Sequence, residues 1–163
     1  MEINLGVYSE DGKQTPFYAT KGSYCFDVYI NQSVVFYGMN EIQLASTGLY
    51  FDIPDGYALT MHPRSGLATK HGIAIANMTG IIDSDYTDEL MIPLVWAFKG
   101  TKYMKDDQSV MYVNRGINML IEPGTRVVQL ALVKKIDHGF LALNNKPEPK
   151  GSRTGGFGST GVK

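Results

Sequence analysis

The strongest limit on what this chain can fold into is the length and spacing of its apolar runs. Ser33 to Tyr37, Leu49 to Ile53, Ala58 to His62, Gly72 to Ala76, Leu90 to Phe98, Val110 to Val113 and Val127 to Val133 are short and rich in β-branched and aromatic residues. Turn signals separate them, which is the spacing of strands and not of helices. Pro54-Asp55-Gly56 and Glu122-Pro123-Gly124 are turn chemistry, because proline presets φ and glycine accepts φ > 0. Almost no window carries an i, i+3, i+4 apolar stripe long enough for a packed helix. The exception, Arg64 to Lys70, fits one or two helical turns. The expected fold is all-β, a jelly-roll-like β-sandwich in which each sheet hides the apolar face of the other. With 163 residues, 44% of them apolar, the chain has enough material for one core and one domain.

Composition then removes whole classes of function. Fifteen Lys and Arg against sixteen Asp and Glu leave a net charge of −1, so no global field draws the protein to nucleic acid or to a membrane surface. No apolar run approaches the ~20 residues that span a bilayer. Met1 to Tyr8, interrupted by Glu2 and Asn4, is unlike a signal peptide, and the expected location is the cytoplasm, or a host's cytoplasm if the source is viral. The single Cys25 excludes an internal disulfide and a multi-cysteine zinc site, and reads as core filler. His62, His71 and His138 lack paired metal spacing, so a metal would ride on oxygen ligands.

Four segments hold the residue types that do chemistry. Asp83, Asp85, Asp88 and Glu89 follow Gly80-Ile81-Ile82. Read plainly they are a solvated turn, and an EF-hand does not fit because Asp88 occupies the place of the loop glycine. Alternatively, Ile81 and Ile82 set Asp83 at the buried end of a strand, where it serves as a general base toward water. Pro63 to Ala68 joins the Arg64 guanidinium, the Ser65 hydroxyl and flexible Gly66 at a possible helix start, a corner suited to phosphate, although Ser and Gly there are also ordinary capping. Residues 99–108 are polar and charged and read as an insert loop within a β domain spanning 1–143. Residues 144–163 form a glycine-rich arm that cannot build its own core. Its Gly156 to Gly161 stretch satisfies a dinucleotide-binding glycine pattern but has no helix to open, since only Val162 and Lys163 follow. Its glycines with Arg153, Ser159 and Thr160 suit a phosphate chain, and Phe157 suits a base.

Taken in order, these segments resemble the five motifs of the dUTPase family. Ala19 to Ser23 through Asp27 is similar to the first, Pro63 to Ala68 to the second, Gly80 to Tyr86 to the third, Gly124 to Leu130 to the fourth and Gly155 to Gly161 to the fifth. The resemblance implies a homotrimeric jelly roll that hydrolyses dUTP to dUMP and pyrophosphate with Mg²⁺, at sites shared between subunits. It implies Asp83 as the base that activates the attacking water and Tyr86 as the ring packed on the deoxyribose. Uracil would be held by Asn77 and the backbone of Gly80, Ile81 and Ile82, with Met91 as a backbone contact. The phosphates would meet Arg64, Ser65 and Gly66, Gln129 would meet a phosphate or the reacting water, Arg153 would meet the terminal phosphate, and the arm residues Phe157, Gly158, Ser159 and Thr160 would close over the nucleotide. Asp27 would face the metal through water, and Arg126 would be structural, paired with a carboxylate.

Three features depart from the family pattern. Arg153 stands one residue closer to Phe157 than in the commonest arrangement, Thr87-Asp88 replaces the usual Arg-Gly, and residues 99–108 lengthen a connection that is usually short. From Pro147 to Phe157 an extended chain reaches roughly 35 Å at about 3.3 Å per residue, enough to cross a neighbouring subunit. Two rivals share the likeness. A dCTP deaminase needs a glutamate on the strand after the third motif, where Leu90 to Leu94 offers no carboxylate. A trimeric nucleotide sensor would keep the pocket without turnover, and pyrophosphate release separates it from an enzyme.

Overall fold

The apolar runs become strands because alternate residues can be buried while the others face solvent. In the computed structural model, residues 3–12, 15–97, 111–114 and 118–148 are described. Strand β1 (Gly6–Ser9) pairs with β5 (Leu49–Asp52). Strands β2 (Phe26–Tyr29), β12 (Arg126–Lys134), β6 (Tyr57–Pro63) and β8 (Gly80–Ile82) form a sheet in that order. A third sheet orders β4 (Ile42–Ser46), β9 (Met91–Trp96) and β7 (Ile73–Ile75), and a fourth orders β10 (Met111–Asn114), β11 (Asn118–Ile121) and β3 (Val34–Phe36). Every pairing is antiparallel. With one short helix among the described residues, α1 (Ser65–His71), the architecture is the all-β, jelly-roll-like arrangement expected.

A single apolar cluster draws on all four sheets: Leu49 and Phe51, Phe36 with Met119 and Ile121, Leu59 with Leu130, and Ile92, Leu94 and Trp96 are buried together. Strand β9 shows why. Ile92, Leu94 and Trp96 point inward while Met91, Pro93 and Val95 stay half-buried. Strand β12 lies between β2 and β6, and a register shift between Arg126 and Val128 lets Val127 and Val128 both be buried.

Helix α1 follows Pro63, which has no N–H to continue the ladder, and buries only Leu67. The sequence pattern placed Gly72 at a strand start. It is instead the helix terminator: at φ 70° it is left-handed, and its N–H returns to the carbonyls of Ala68 and Leu67. Strands β1, β2, β4 and β11 fall outside the runs read from sequence. Each is short, and β4, Ile-Gln-Leu-Ala-Ser, buries only Ala45. The insert at 99–108 lies outside the described residues.

Candidate active site

Neighbouring strands β2, β12 and β6 bring three of the motifs together. Gln129 lies opposite Asp27 on one side and His62 on the other, while Val128 lies opposite Pro63, so Arg64 emerges beside both strands. The Asp27 carboxylate receives Arg64 Nε at 3.1 Å on Oδ1 and Arg126 Nη1 at 3.0 Å on Oδ2. Arg64 Nη1 also donates to the Arg126 carbonyl at 2.7 Å, and Gln129 Nε2 donates to the Pro63 carbonyl at 3.3 Å. One carboxylate thus orients two guanidiniums and leaves positive charge in excess. The expectation that Arg126 pairs with a carboxylate is met.

These residues, with Ser65, Gly66, Ser23 and Tyr24, line an open cleft of about 450 Å³. Its rim from the first motif is a closed turn, in which Ser23 N–H donates to the Thr20 carbonyl at 3.0 Å and Thr20 N–H donates to Ser23 Oγ at 3.1 Å. Cys25, expected in the core, is half-buried and lines this cleft, because Phe26 takes the inward place on β2. Burial, then the nearby Asp27 charge, pushes the Cys25 thiol above its usual range, so it is no thiolate nucleophile. Helix α1 opens at this cleft with Ser65 and Gly66, has no acidic residue in its first turn and carries Lys70 and His71 in its last.

A second cleft of about 420 Å³ holds the other predicted group: Asn77, Gly80, Ile81, Ile82, Asp83, Tyr86 and Met91, with Leu44, Met61 and Pro93 beside them. Among the described residues strand β8 is a sheet edge, paired only with β6, and so keeps backbone polar groups on its outer side. Gly80 is required there by contact, since a Cβ would sit 2.5 Å from Met61 Cε and 3.2 Å from Met61 Cβ. Tyr86 Oη donates to the Glu89 carbonyl at 2.8 Å, and Tyr86 N–H donates to the Asp83 carbonyl at 3.1 Å.

Two expectations need correction. Asp83 directly follows β8, but it is exposed and not buried, because β8 is the edge strand of its sheet among the described residues. The acidic segment is a solvated turn at Asp83, Asp85 and Asp88, but not at Glu89, whose carboxylate is half-buried and hydrogen-bonded. Among the described residues the two clefts share no lining residue: Asp83 and Tyr86 line one, and Arg64, Ser65, Gly66 and Gln129 line the other. Arg153, Phe157, Gly158, Ser159 and Thr160 lie outside the described residues. Sequence reading missed Met61, Tyr24 and Glu89; an apolar residue on an inward strand position gives no sign that it floors a pocket.

For a metal, the described residues hold no group of three or more His, Cys, Asp or Glu side chains suited to one. Asp27 is the carboxylate of the arginine-lined cleft, with both oxygens on arginines. That chemistry fits a hydrated Mg²⁺ carried by an anionic ligand, and does not fit an all-protein cage.

The dUTPase family model matches residues 11–161. A deoxyuridine 5'-triphosphate nucleotidohydrolase of Rickettsia canadensis is 36% identical over 148 residues, covering 90% of this chain and 88% of that protein. The protein of the same name from Fusobacterium nucleatum is 33% identical over 162 residues, covering 98% of each. Among solved structures, a dUTPase variant of Staphylococcus bacteriophage 80alpha with dUpNHpp superposes with a TM-score of 0.78 at 22% identity, over 98% of this chain and 99% of that one. A phage phi11 dUTPase variant, described for its coordination of a structural Mg(II) ion, gives a TM-score of 0.70 at 22% identity, over 88% and 98%. An antiparallel scaffold carrying a guanidinium-lined cleft and these relatives place the chain among enzymes, as a nucleotide pyrophosphohydrolase. Within that class it belongs to the dUTPase family.

Proposed function

We propose that the enzyme hydrolyses dUTP to dUMP and pyrophosphate with Mg²⁺ assistance, in the cytoplasm, lowering dUTP and supplying dUMP for dTTP synthesis. The observation that carries this reading is the division of the motif residues between two clefts suited to opposite ends of one nucleotide. The arginine-lined cleft, with Arg64, Ser65, Gly66 and Gln129, takes the phosphates. The β8 edge and Asn77 take uracil, pairing with its donors and acceptors through backbone and amide, with Met91 alongside. Cytosine reverses the polarity at its exocyclic position and leaves buried groups unmatched, a larger penalty than a methyl group incurs. Tyr86, tethered at its hydroxyl, packs its ring on the deoxyribose where a 2′-hydroxyl would collide.

Asp83 accepts a proton from the water that attacks the α-phosphorus. The bond from that phosphorus to the bridging oxygen breaks, and pyrophosphate leaves with the bond's electron pair. Mg²⁺ bound to phosphate oxygens would supply charge neutralisation, with Asp27 holding one of its waters. The arm closes the site: Arg153 meets the terminal phosphate, Phe157 stacks on the base, and Gly158, Ser159 and Thr160 wrap the phosphate chain.

Because the two clefts share no lining residue among the described residues, the complete site is read as composite, built where subunits of a homotrimer meet. The segment after β12 supports this. Ile136, Phe140, Leu141 and Leu143 are exposed, Phe140 at 96%, an apolar display that a neighbouring subunit would cover. The test is to incubate each deoxynucleoside triphosphate, and UTP, with enzyme and Mg²⁺ and to score pyrophosphate. Selective cleavage of dUTP is expected. Equal cleavage of dTTP, or none of dUTP, overturns the substrate, and binding without release supports a sensor.

A further inference from the structure

Glu89 lines neither cleft, yet it is the best-bonded carboxylate of the loop that carries Asp83 and Tyr86. Its Oε1 accepts Ser46 Oγ at 2.5 Å, Thr47 N–H at 2.9 Å and Gly48 N–H at 2.7 Å, the whole turn between β4 and β5. The next residue is tied to the same turn: buried Thr47 donates its hydroxyl to the Leu90 carbonyl at 2.8 Å, and Leu90 N–H donates to the Leu49 carbonyl at 2.8 Å. On its other side, the Glu89 carbonyl receives Tyr86 Oη at 2.8 Å, and Tyr86 N–H reaches back to the Asp83 carbonyl. A continuous hydrogen-bonded path therefore runs from the β4–β5 turn through Glu89 to Tyr86 and Asp83.

The chemistry demands an acceptor of this kind. Three donors converge on one oxygen, and an ionised carboxylate accepts without presenting a donor of its own. A glutamine keeps an oxygen in place with less charge, an aspartate is one methylene short, and an alanine strands all three donors. We propose that Glu89 is a positioning residue: its clamp on the β4–β5 turn fixes the carbonyl that tethers Tyr86, and so sets how strictly the enzyme selects deoxyribose over ribose. This rests on the dUTPase reading for the role of Tyr86, although the clamp itself does not.

The experiment compares wild type with Glu89→Ala and Glu89→Gln in kcat/KM for dUTP and for UTP, measured separately. A Tyr86 ring released from its tether discriminates less, so the ratio of the two constants should fall by about tenfold or more in Glu89→Ala, the scale of sub-ångström misplacement in a site. Glu89→Gln should restore most of the ratio. An equal loss for both substrates, or an unchanged ratio, overturns the proposal. If Glu89→Ala does not fold, Ser46→Ala decides, since it removes one of the three donors: a lowered ratio supports the clamp and an unchanged one refutes it. Amide hydrogen exchange keeps the two readings apart. Should wild type cleave neither nucleotide, the dUTPase reading fails, and the clamp is then judged by the Tyr86 and Leu90 amides. In Ser46→Ala or Glu89→Ala these should exchange about tenfold faster, and unchanged protection overturns it.

Discussion

Asp27→Ala is expected to loosen the arginine cleft by an amount that the geometry sets. The carboxylate is 13% exposed and its partners Arg64 and Arg126 are 28% and 25% exposed, so neither ion pair is fully in water nor fully out of it. Buried charge-assisted hydrogen bonds contribute ~1.5–3 kcal/mol, and exposed pairs ~0–1 kcal/mol. Between those limits each contact is worth about 1 kcal/mol, and removing the shared acceptor adds repulsion between two adjacent guanidiniums, for a total of ~2–3 kcal/mol. For a chain of this size that lowers the melting temperature by roughly 5–10 °C. The assay is thermal unfolding at fixed protomer concentration, because melting of an oligomer depends on concentration. Added salt should narrow the gap between variant and wild type, since partly exposed pairs are screened. Asp27→Asn, which keeps one acceptor oxygen, should lose about half as much. An Asp27→Ala protein that melts within about 1 °C of wild type would refute the claim that Asp27 organises the two arginines.

Asp83→Asn should abolish pyrophosphate release while nucleotide binding by calorimetry is retained, because the base is deleted and the shape nearly kept; retained turnover would place the base elsewhere. Gly80→Ala drives a methyl group into Met61, which can swing its terminal carbon away but not its Cβ. The expected cost is ~1–3 kcal/mol in unfolding with a raised KM for dUTP, and a wild-type KM would show that β8 does not wall the base site. Removing residues 151–163 should leave an assembled, folded protein with severely reduced turnover, read by sedimentation and by the pyrophosphate assay together; undiminished turnover would end the lid reading. The Tyr50 phenol is pushed up to about 12, first by its 2.8 Å hydrogen bond to Glu10, then by slight burial and by the charges of Glu10 and Glu89, with Tyr8 adding a little. Its neutral form is the one favoured by folding, so the gain is complete below the ordinary phenol value of about 10 and is lost as pH rises toward the folded value. Difference titration against Tyr50→Phe should show it, and a transition near 10 that Glu10→Gln leaves unmoved would contradict the contact.

Legibility differed by element. Strands with a β-branched period, such as β9 and β12, and turns with proline and glycine were readable because local sterics decide them. Strands β1 and β4 were not: Gly6-Val7-Tyr8-Ser9 is extended because β5 supplies its hydrogen bonds, and β4 because β9 does. At the clefts, Arg64 stood out by residue type, whereas Asn77, Gln129 and Tyr86 were singled out only through the motif order that resembles the dUTPase family. That Gly72 ends a helix, and that Asp83 is exposed, depended on neighbours that no local window contains.

What the amino-acid order determined by itself is the class of scaffold and the set of chemical groups: short strands, turns at fixed places, a guanidinium beside a hydroxyl and glycine, a carboxylate after two isoleucines. Those follow from covalent geometry and side-chain chemistry. Tertiary structure alone decided which groups meet. It put Asp27 between two arginines distant in sequence, turned Glu89 from a solvated acid into a clamp on the β4–β5 turn, and put Arg64, Ser65, Gly66 and Gln129 in one cleft and Asp83 and Tyr86 in another. The physical reason is that a hydrogen bond or ion pair depends on distance in space, and distance in space between strands is set by sheet order, which no single strand encodes.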